Sequence, residues 1–364
     1  MRPGRVFMTT DAVGGVWTYA LDAAAGLADC GVRTTLAALG PSPSPAQVRQ
    51  AAAIPGLALQ DTGLPLDWMV TDEPTFRAAA EALAELAHES GADLVHLNSP
   101  AYGQGGFRVP VVGACHSCLA SWWAAVKGGE MPPEFAVRTR RLGEGYRACA
   151  RLVAPSAAFA QVTQDLYGVD VEVIWNGRAP DGRRPDTAKA PLALTSGRLW
   201  DEGKNLAALD AAAARMAGRV AAIGPLRGPD GVVVAARAVQ TPGAYDAAAM
   251  TRALNAAGVF VSLALYEPFG LGVLEAAQAG CALVLSDIPT FRELWDGAAV
   301  FVDPAQPGAV AQTLDDLLAD PESARALGAR ATDRARRYDA ASMSRALVEL
   351  YGWALTSRAR ETAA

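Results

Sequence analysis

Short apolar runs alternate with longer Ala- and Leu-rich segments along most of the chain. A run of about four to eight apolar, often β-branched residues is typical of a buried strand, and the segments between the runs have the composition of helices. Strands that alternate with helices predict parallel sheets, whose ligands bind beyond the carboxyl ends of the strands. The apolar runs lie at residues 5–9, 32–38, 57–60, 94–97, 109–114, 171–177, 191–197, 217–224, 231–239 and 258–263.

Length and a local change in composition divide the chain into two domains. The 364 residues exceed what one core supports, since single cores stop growing at about 250–300 residues. Residues 179–190 are rich in Pro, Asp, Arg and Gly and have no apolar period, which predicts a linker. We therefore expect an N-terminal domain at 1–178, a C-terminal domain at 191–340, and a last helix and tail at 341–364.

Composition and charge restrict the partners and the compartment. Acidic residues outnumber basic ones, 38 to 32, which disfavours nucleic acid as a partner. The five cysteines are odd in number and scattered, as expected for reduced thiols, and the C-x-x-C of Cys115 and Cys118 lacks the second ligand pair of a structural zinc site. Neither a signal peptide nor an apolar segment of about 18 residues is present, so we expect a cytoplasmic location.

Arginines in a helix expected at 132–150 leave peripheral contact with the inner face of the membrane open. They are Arg138, Arg140, Arg141 and Arg147. Arginines at this spacing usually form one solvated face of a helix, and the alternative is that the face docks on anionic lipid.

Two glutamates eight positions apart, Glu267 and Glu275, flank an expected helix start. The apolar run at 258–263 precedes them, and a segment of helical composition continues to Gly280. If the helix begins near Phe269, Glu275 lies about 9 Å along its axis. The two carboxylates can then hold two parts of one extended ligand, and the free N–H groups of the helix start favour an anion.

The string Glu267-Pro-Phe-Gly-Leu, followed by Leu274-Glu-Ala276, resembles the E-x7-E element of retaining glycosyltransferases of family 4, which have the GT-B fold. The likeness continues from Gly280 to Pro304. It implies an α/β protein in which two Rossmann-like parallel-sheet domains face a cleft and a C-terminal helix crosses back to the N-terminal domain. It also implies transfer of a hexosyl group from a nucleotide-diphosphate sugar to an acceptor hydroxyl, with retention of anomeric configuration and without a metal.

The resemblance assigns the donor mainly to the C-terminal domain. Gly197-Arg198 and Lys204 match the phosphate-binding motif of the family, and two cations facing a diphosphate would neutralise the charge that grows as the glycosidic bond breaks. Glu267 would hold sugar hydroxyls and Glu275 the ribose. Further donor-binding candidates are the helix start and the Gly-Gly turn after the first strand, namely Phe269, Gly270, Leu271, Gly14 and Gly15. The sequence contains no Asp-x-Asp cluster that would hold a divalent ion against the diphosphate.

Polar residues also follow the strands expected in the N-terminal domain. His116 stands where the family has a histidine that borders the transferred sugar. His96 and Asn98 lie at and just past a strand end and are candidates for lining the acceptor pocket, although such residues are more often hydrogen-bonded core groups. No motif identifies the sugar, the base or the acceptor, which can be a small molecule, a glycan or a lipid-linked group.

Two other functions fit the same architecture. A nucleotide-sugar epimerase would need further acid and base residues, which the sequence does not reveal. A non-catalytic nucleotide-sugar binding protein would not need the cation pair, both glutamates and His116 together. Release of nucleotide diphosphate from a nucleotide sugar, with and without acceptors, distinguishes the three.

Overall fold

The computed structural model describes residues 2–228 and 231–363, with side chains described as far as residue 356. The chain forms two compact units. The first comprises the chain up to Gly177 together with the segment from Ala340 onward, and the second is Arg178–Asp339. Each unit is a parallel sheet covered by helices, so the protein is an α/β protein of two Rossmann-like units.

Within the described residues, the sheet of the first unit has seven parallel strands. They are β1 (Arg5–Asp11), β2 (Arg33–Leu39), β3 (Leu57–Asp61), β4 (Leu94–Leu97), β5 (Val111–Ala114), β6 (Arg151–Ala154) and β7 (Glu172–Val173). Their order across the sheet is β3-β2-β1-β4-β5-β6-β7. The helices between them are α1 (Gly15–Asp29), α2 (Pro45–Ala52), α3 (Glu73–Glu89), α4 (Leu119–Val126), α5 (Ala136–Ala148) and α6 (Ala157–Tyr167).

The second unit repeats this plan with six strands in the part of the chain described. They are β8 (Ala190–Ser196), β9 (Arg219–Ile223), β10 (Gln240–Gly243), β11 (Ala257–Ser262), β12 (Ala282–Ser286) and β13 (Val300–Val302), in the order β10-β9-β8-β11-β12-β13. The helices are α7 (Leu206–Ala213), α8 (Ala247–Ala256), α9 (Leu271–Gln278), α10 (Pro289–Trp295), α11 (Pro307–Ala319) and α12 (Pro321–Ala335). Central strands such as β12 are buried along their whole length, which explains their continuous apolar sequence.

The last helix, α13 (Ala340–Ala363), belongs to the first unit. Leu347 and Tyr351 on its apolar face join the core beneath β1. Gly26 of α1 permits the close approach of the two helices, because a Cβ there would collide with Ser344. The predicted return of the C-terminal helix to the N-terminal sheet is confirmed. No helix among the described residues is both long enough and apolar enough to span a bilayer.

The prediction of a strand at 231–239 is wrong. The last three residues of this run form a bend, because both carboxylate oxygens of Asp210 accept from the backbone N–H of Arg237 and one of them also accepts from those of Ala238 and Val239. The strand comes directly afterwards, at Gln240–Gly243. An apolar run therefore predicts a strand only where no side chain competes for its backbone donors.

Contrary to the prediction from the sequence, the arginines of α5 do not form one solvated face. Arg141 is only 3% exposed; its guanidinium pairs with Glu73 at 3.1 Å, donates to the Val70 carbonyl and stacks on Phe76. An arginine held in this way is part of the packing between α5 and α3, because a carboxylate, a carbonyl and an aromatic ring compensate its charge. Arg140 remains exposed and pairs with Glu144.

The segment predicted as a linker is packed on the second unit. Arg183 donates to the side chain of Gln278 at 2.8 Å, and the backbone N–H of Arg184 donates to Asn255 at 2.8 Å. Lys189 donates to the Ala279 carbonyl at 2.5 Å, and its desolvation by burial lowers the pKa of its ammonium. These contacts fix residues 183–189 against α8 and α9.

Candidate active site

Both sheets have a point where the strand order reverses. In the second unit it lies between β8 and β11, and in the first between β1 and β4. Loops that leave the carboxyl ends of two such strands run in opposite directions and leave a crevice between them, where ligands of open α/β sheets bind. Most of the predicted site residues lie on these four loops.

In the second unit, the loops after β8 and β11 are tied together by hydrogen bonds. The backbone N–H of Leu265 donates to the Gly203 carbonyl at 2.9 Å, and the side chain of Asn205 donates to the Leu263 carbonyl at 3.1 Å. Asn205 has a positive φ of 55°, which turns the chain sharply into α7. The two loops therefore form one structure that presents charged side chains at the same edge of the sheet.

Lys204 and Glu267 form an ion pair across this crevice. Their side chains are 23% and 15% exposed, so most of each charge is removed from water. Two residues that the sequence marked independently, as a phosphate cation and a sugar-binding carboxylate, are thus direct partners. The sequence did not predict this contact.

Arg198 stands at the exit of β8, on the same loop as Lys204. Its guanidinium lies 3.3 Å from Asp201 and 5.6 Å from the ring centre of Trp200, and its side chain is 45% exposed. The other oxygen of Asp201 caps the backbone N–H of Gly203 at 2.9 Å, so Asp201 holds both the cation and the loop. Nearly half of the Arg198 side chain is therefore accessible to a ligand.

The start of α9 is formed by Gly270 and Phe269. Gly270 precedes the helix with φ of +93°, a conformation that only glycine adopts readily, and no side chain caps the helix start. The backbone N–H groups of Val273 and Leu274 donate to the Gly270 carbonyl at 3.0 and 3.1 Å, so the groups that an anion can meet at this uncapped N-terminus are those of Leu271 and Gly272. The ring of Phe269 is 3% exposed and packs edge-on against Tyr338, so Phe269 offers only its backbone to a ligand.

Glu275 pairs with Arg178, a residue that the sequence did not single out. The side chains of Arg178 and Glu275 are 15% and 17% exposed. Arg178 is the first residue of the second unit, and its backbone N–H donates to the Tyr338 carbonyl at 3.1 Å. The proposed ribose-binding glutamate is therefore fixed by the segment that leads into its own unit.

In the first unit, the turn after β1 opens the helix α1. One oxygen of the Asp11 carboxylate accepts from the backbone N–H of Val13 at 2.8 Å and of Gly14 at 3.1 Å. Gly14 precedes the helix, no side chain caps it, and Gly15 is the first helical residue. Glycine at these positions leaves the helix N-terminus open to a ligand.

His96, Asn98 and His116 form one connected group beside this turn. The Asn98 side-chain oxygen lies 3.2 Å from Nε2 of His96 and 2.7 Å from Nε2 of His116. Asn98 is itself held by Thr9 at the end of β1, through its backbone N–H at 2.8 Å and its side-chain amide at 2.7 Å. The parallel pairing of β1, β4 and β5 brings the three residues together, which the apolar runs alone could not reveal.

Burial controls the protonation of both histidines. Desolvation lowers the pKa of His96 to about 4, against the opposing effect of its hydrogen bond to Asn98. Desolvation also lowers the pKa of His116 to about 3, and the neighbouring His96 adds to this effect. Both imidazoles are therefore neutral near pH 7 and act as hydrogen-bonding groups rather than as cations.

Two family models match the chain. The model described as Glycosyltransferase Family 4 matches residues 13–181, and the model described as Glycosyl transferases group 1 matches residues 236–334. The matched ranges include His116 in the first case and both glutamates of the E-x7-E element in the second.

Similar proteins agree with the family models. The chain is 38% identical over 101 residues to GDP-mannose:cellobiosyl-diphosphopolyprenol alpha-mannosyltransferase of Komagataeibacter xylinus, covering 27% of this chain and 26% of that protein. It is 36% identical over 114 residues to phosphatidyl-myo-inositol mannosyltransferase of Mycolicibacterium smegmatis, covering 30% and 29%. The chain thus matches little more than a quarter of the length of these relatives.

A likeness of the whole fold comes from a solved structure. Sucrose-phosphate synthase from Thermosynechococcus elongatus superposes with a TM-score of 0.74 at 18% identity, over 97% of this chain and 99% of that one. The similarity covers both units and, at this identity, concerns the fold alone. Together with the two family models and the E-x7-E element, it shows that the chain is a glycosyltransferase of family 4, group 1, with the GT-B fold.

Proposed function

We propose that this glycosyltransferase moves a hexosyl group from a nucleotide-diphosphate sugar to an acceptor hydroxyl with retention of anomeric configuration and without a metal. The observation that carries the proposal is the group of charges at the reversal point of the second sheet. Arg198, Lys204 and Glu267 lie there beside the uncapped start of α9. A ligand that carries both a diphosphate and sugar hydroxyls fits such a combination of cations, carboxylate and free N–H groups.

Arg198 and Lys204 would stabilise the leaving group. As the glycosidic bond breaks, negative charge accumulates on the diphosphate, and cations already in position stabilise that charge more than they stabilise the bound donor. The backbone N–H groups that follow Gly270 add donors to the same anion. This set of groups would perform the task that a divalent ion performs in other transferases.

The two glutamates would orient the donor. Glu267 accepts hydrogen bonds from sugar hydroxyls once the diphosphate has taken its place beside Lys204, and Glu275 accepts from the ribose. With retention, the leaving phosphate oxygen lies on the same face of the sugar as the acceptor and can take the acceptor proton. No separate protein base is then required.

The first unit would supply the acceptor side. His116 borders the transferred sugar as a neutral hydrogen-bonding group, and His96 and Asn98 lie behind it. The helix start at Gly14 and Gly15 would contribute backbone contacts to the donor diphosphate and sugar.

Mannose is the first sugar to test. Both curated relatives are mannosyltransferases by name, and one of them names GDP-mannose as its donor. Their names also point to acceptors carried on lipid, a polyprenol diphosphate in one case and phosphatidylinositol in the other. A lipid-linked acceptor would bring this enzyme to the inner face of the cytoplasmic membrane.

The test is release of nucleoside diphosphate from GDP-mannose, UDP-glucose and other nucleotide sugars, with and without lipid-linked and soluble acceptors. The proposal is supported if release of nucleoside diphosphate depends on the acceptor and if NMR shows the same anomeric configuration in the product as in the donor. Conversion of the nucleotide sugar to its epimer would identify an isomerase. Donor binding without turnover toward any acceptor would favour a binding protein, and an inverted product would overturn retention.

A further inference from the structure

A tyrosine of the last helix is hydrogen-bonded to one of the two buried histidines of the first unit, His96. The Tyr351 hydroxyl lies 2.8 Å from Nδ1 of His96, and both side chains are fully buried. The ring of Tyr19, from α1, lies edge-on to His116 with centres 4.5 Å apart, and its hydroxyl is 3.5 Å from Nε2 of His96. His96 is therefore enclosed by α1, β4 and α13.

The Thr9 carbonyl decides where the protons of this group lie. A carbonyl oxygen can only accept, so the Asn98 atom 2.7 Å from it must be the amide nitrogen, and the Asn98 oxygen must face the two imidazoles. That oxygen accepts from both rings, which requires a proton on Nε2 of His96 and on Nε2 of His116. Both rings are neutral, so each carries its lone pair on Nδ1.

The consequence differs between the two rings. In His96 the lone pair on Nδ1 accepts from the Tyr351 hydroxyl. In His116 it is an acceptor that can meet a substrate hydroxyl. The order of the bonds is thus Tyr351 O–H to His96 Nδ1, His96 Nε2–H to the Asn98 oxygen, and His116 Nε2–H to the same oxygen.

We propose that Tyr351 and His96 are positioning residues for His116, which set its orientation and keep its proton on Nε2 so that Nδ1 remains an acceptor. The substrate contact of His116 rests on the proposed function, whereas its tautomer and orientation do not. The C-terminal helix thereby becomes part of the support of the catalytic site and not only of the core. Tyr351→Phe removes one hydroxyl and keeps the ring that packs in the core.

Nitrogen NMR of the histidine rings tests the proposal directly, because the chain contains only three histidines. His96 and His116 should each show a proton on Nε2 and no titration between about pH 5 and 8. In Tyr351→Phe, the His96 Nδ1 signal should move and the His116 signals should move with it. The matched control is Tyr102→Phe, since Tyr102 is equally buried in the first unit and donates only to the Pro65 carbonyl at 2.9 Å.

Turnover provides the second measurement. Tyr351→Phe should lower kcat by about threefold to tenfold, the effect of one hydrogen bond, with the donor KM unchanged and with Tyr102→Phe at the wild-type rate. A proton on Nδ1 of either ring, or His116 signals unaffected by Tyr351→Phe, would overturn the proposal. If the NMR spectra are as expected but the protein transfers no sugar, the proposed function is refuted, whereas the positioning of His116 is still supported.

Discussion

The ion pair between Lys204 and Glu267 should stabilise the second unit, and a double-mutant cycle can isolate that contribution. Lys204→Met and Glu267→Gln each remove a charge and keep most of the side-chain volume. With side chains 23% and 15% exposed, the pair lies between exposed pairs, whose coupling is about 0.2–1 kcal/mol, and buried pairs, in which loss of one partner costs about 3–5 kcal/mol. We therefore expect a favourable coupling of about 1–2 kcal/mol.

The assay is urea unfolding of the wild type, the two single variants and the double variant. The control is a second cycle on Asp287 and Arg292, which pair through two contacts of 2.6 Å but have side chains 52% and 47% exposed. Both pairs belong to the second unit, so the two cycles report the same transition whatever the first unit does. The control cycle should give a smaller coupling, because solvent screens an exposed pair.

A coupling at Lys204 and Glu267 no larger than that of the control pair would refute the reasoning. It would mean that the Lys204 ammonium is solvated when no ligand is bound. The idea that an incoming diphosphate takes the place of a protein carboxylate beside Lys204 would then have to be withdrawn. High salt provides a further check, because it should weaken the control coupling more than that of the shielded pair.

Three further outcomes are expected. Glu275→Ala should weaken nucleoside diphosphate binding by about 1.5–3 kcal/mol for each charge-assisted hydrogen bond lost; unchanged affinity by calorimetry in a folded variant would contradict the ribose role. Arg198→Ala should lower kcat about 10²- to 10³-fold, and Arg198→Lys should recover only part of the rate because the forked hydrogen bonding of the guanidinium is lost. EDTA should not change the wild-type rate; loss of activity in EDTA and its recovery with Mg²⁺ would exclude the metal-free mechanism. Lowering the pH below about 6.5 should destabilise the first unit, because burial lowers the pKa of His96 to about 4 and of His116 to about 3 and the unfolded chain takes up protons first; the urea midpoint of His96→Gln should fall less than that of the wild type, and an equal fall would contradict this origin.

The sequence predicts the two α/β units because strand and helix patterns are local. Most apolar runs identify a strand, the run at 231–239 being an exception, and the return of the last helix follows from the resemblance of the chain to known transferases. Strand order is not local, and so the sequence does not show that β8 and β11 are neighbours. The Lys204–Glu267 contact spans 63 positions and depends on that order.

The errors in the prediction have a common physical cause. Residues 237–239 failed to form the expected strand because Asp210 binds their backbone donors from another element. Arg141 failed to face solvent because Glu73 and the Val70 carbonyl satisfy its charge inside the unit. In both cases a partner remote in sequence satisfies a polar group, and local composition carries no sign of that partner.

Tyr351 shows the same limit at the site itself. In the sequence it ends an apolar period that runs through Met343, Leu347 and Leu350, which predicts a core residue. Its ring is indeed packed in the core of the first unit. What its hydroxyl does depends on His96, 255 positions earlier in the chain. A buried tyrosine hydroxyl without a partner is costly, so a tyrosine at a fully buried position implies an acceptor within reach. The apolar pattern therefore predicts where the ring lies, and burial of its hydroxyl requires a polar partner that only the fold can identify.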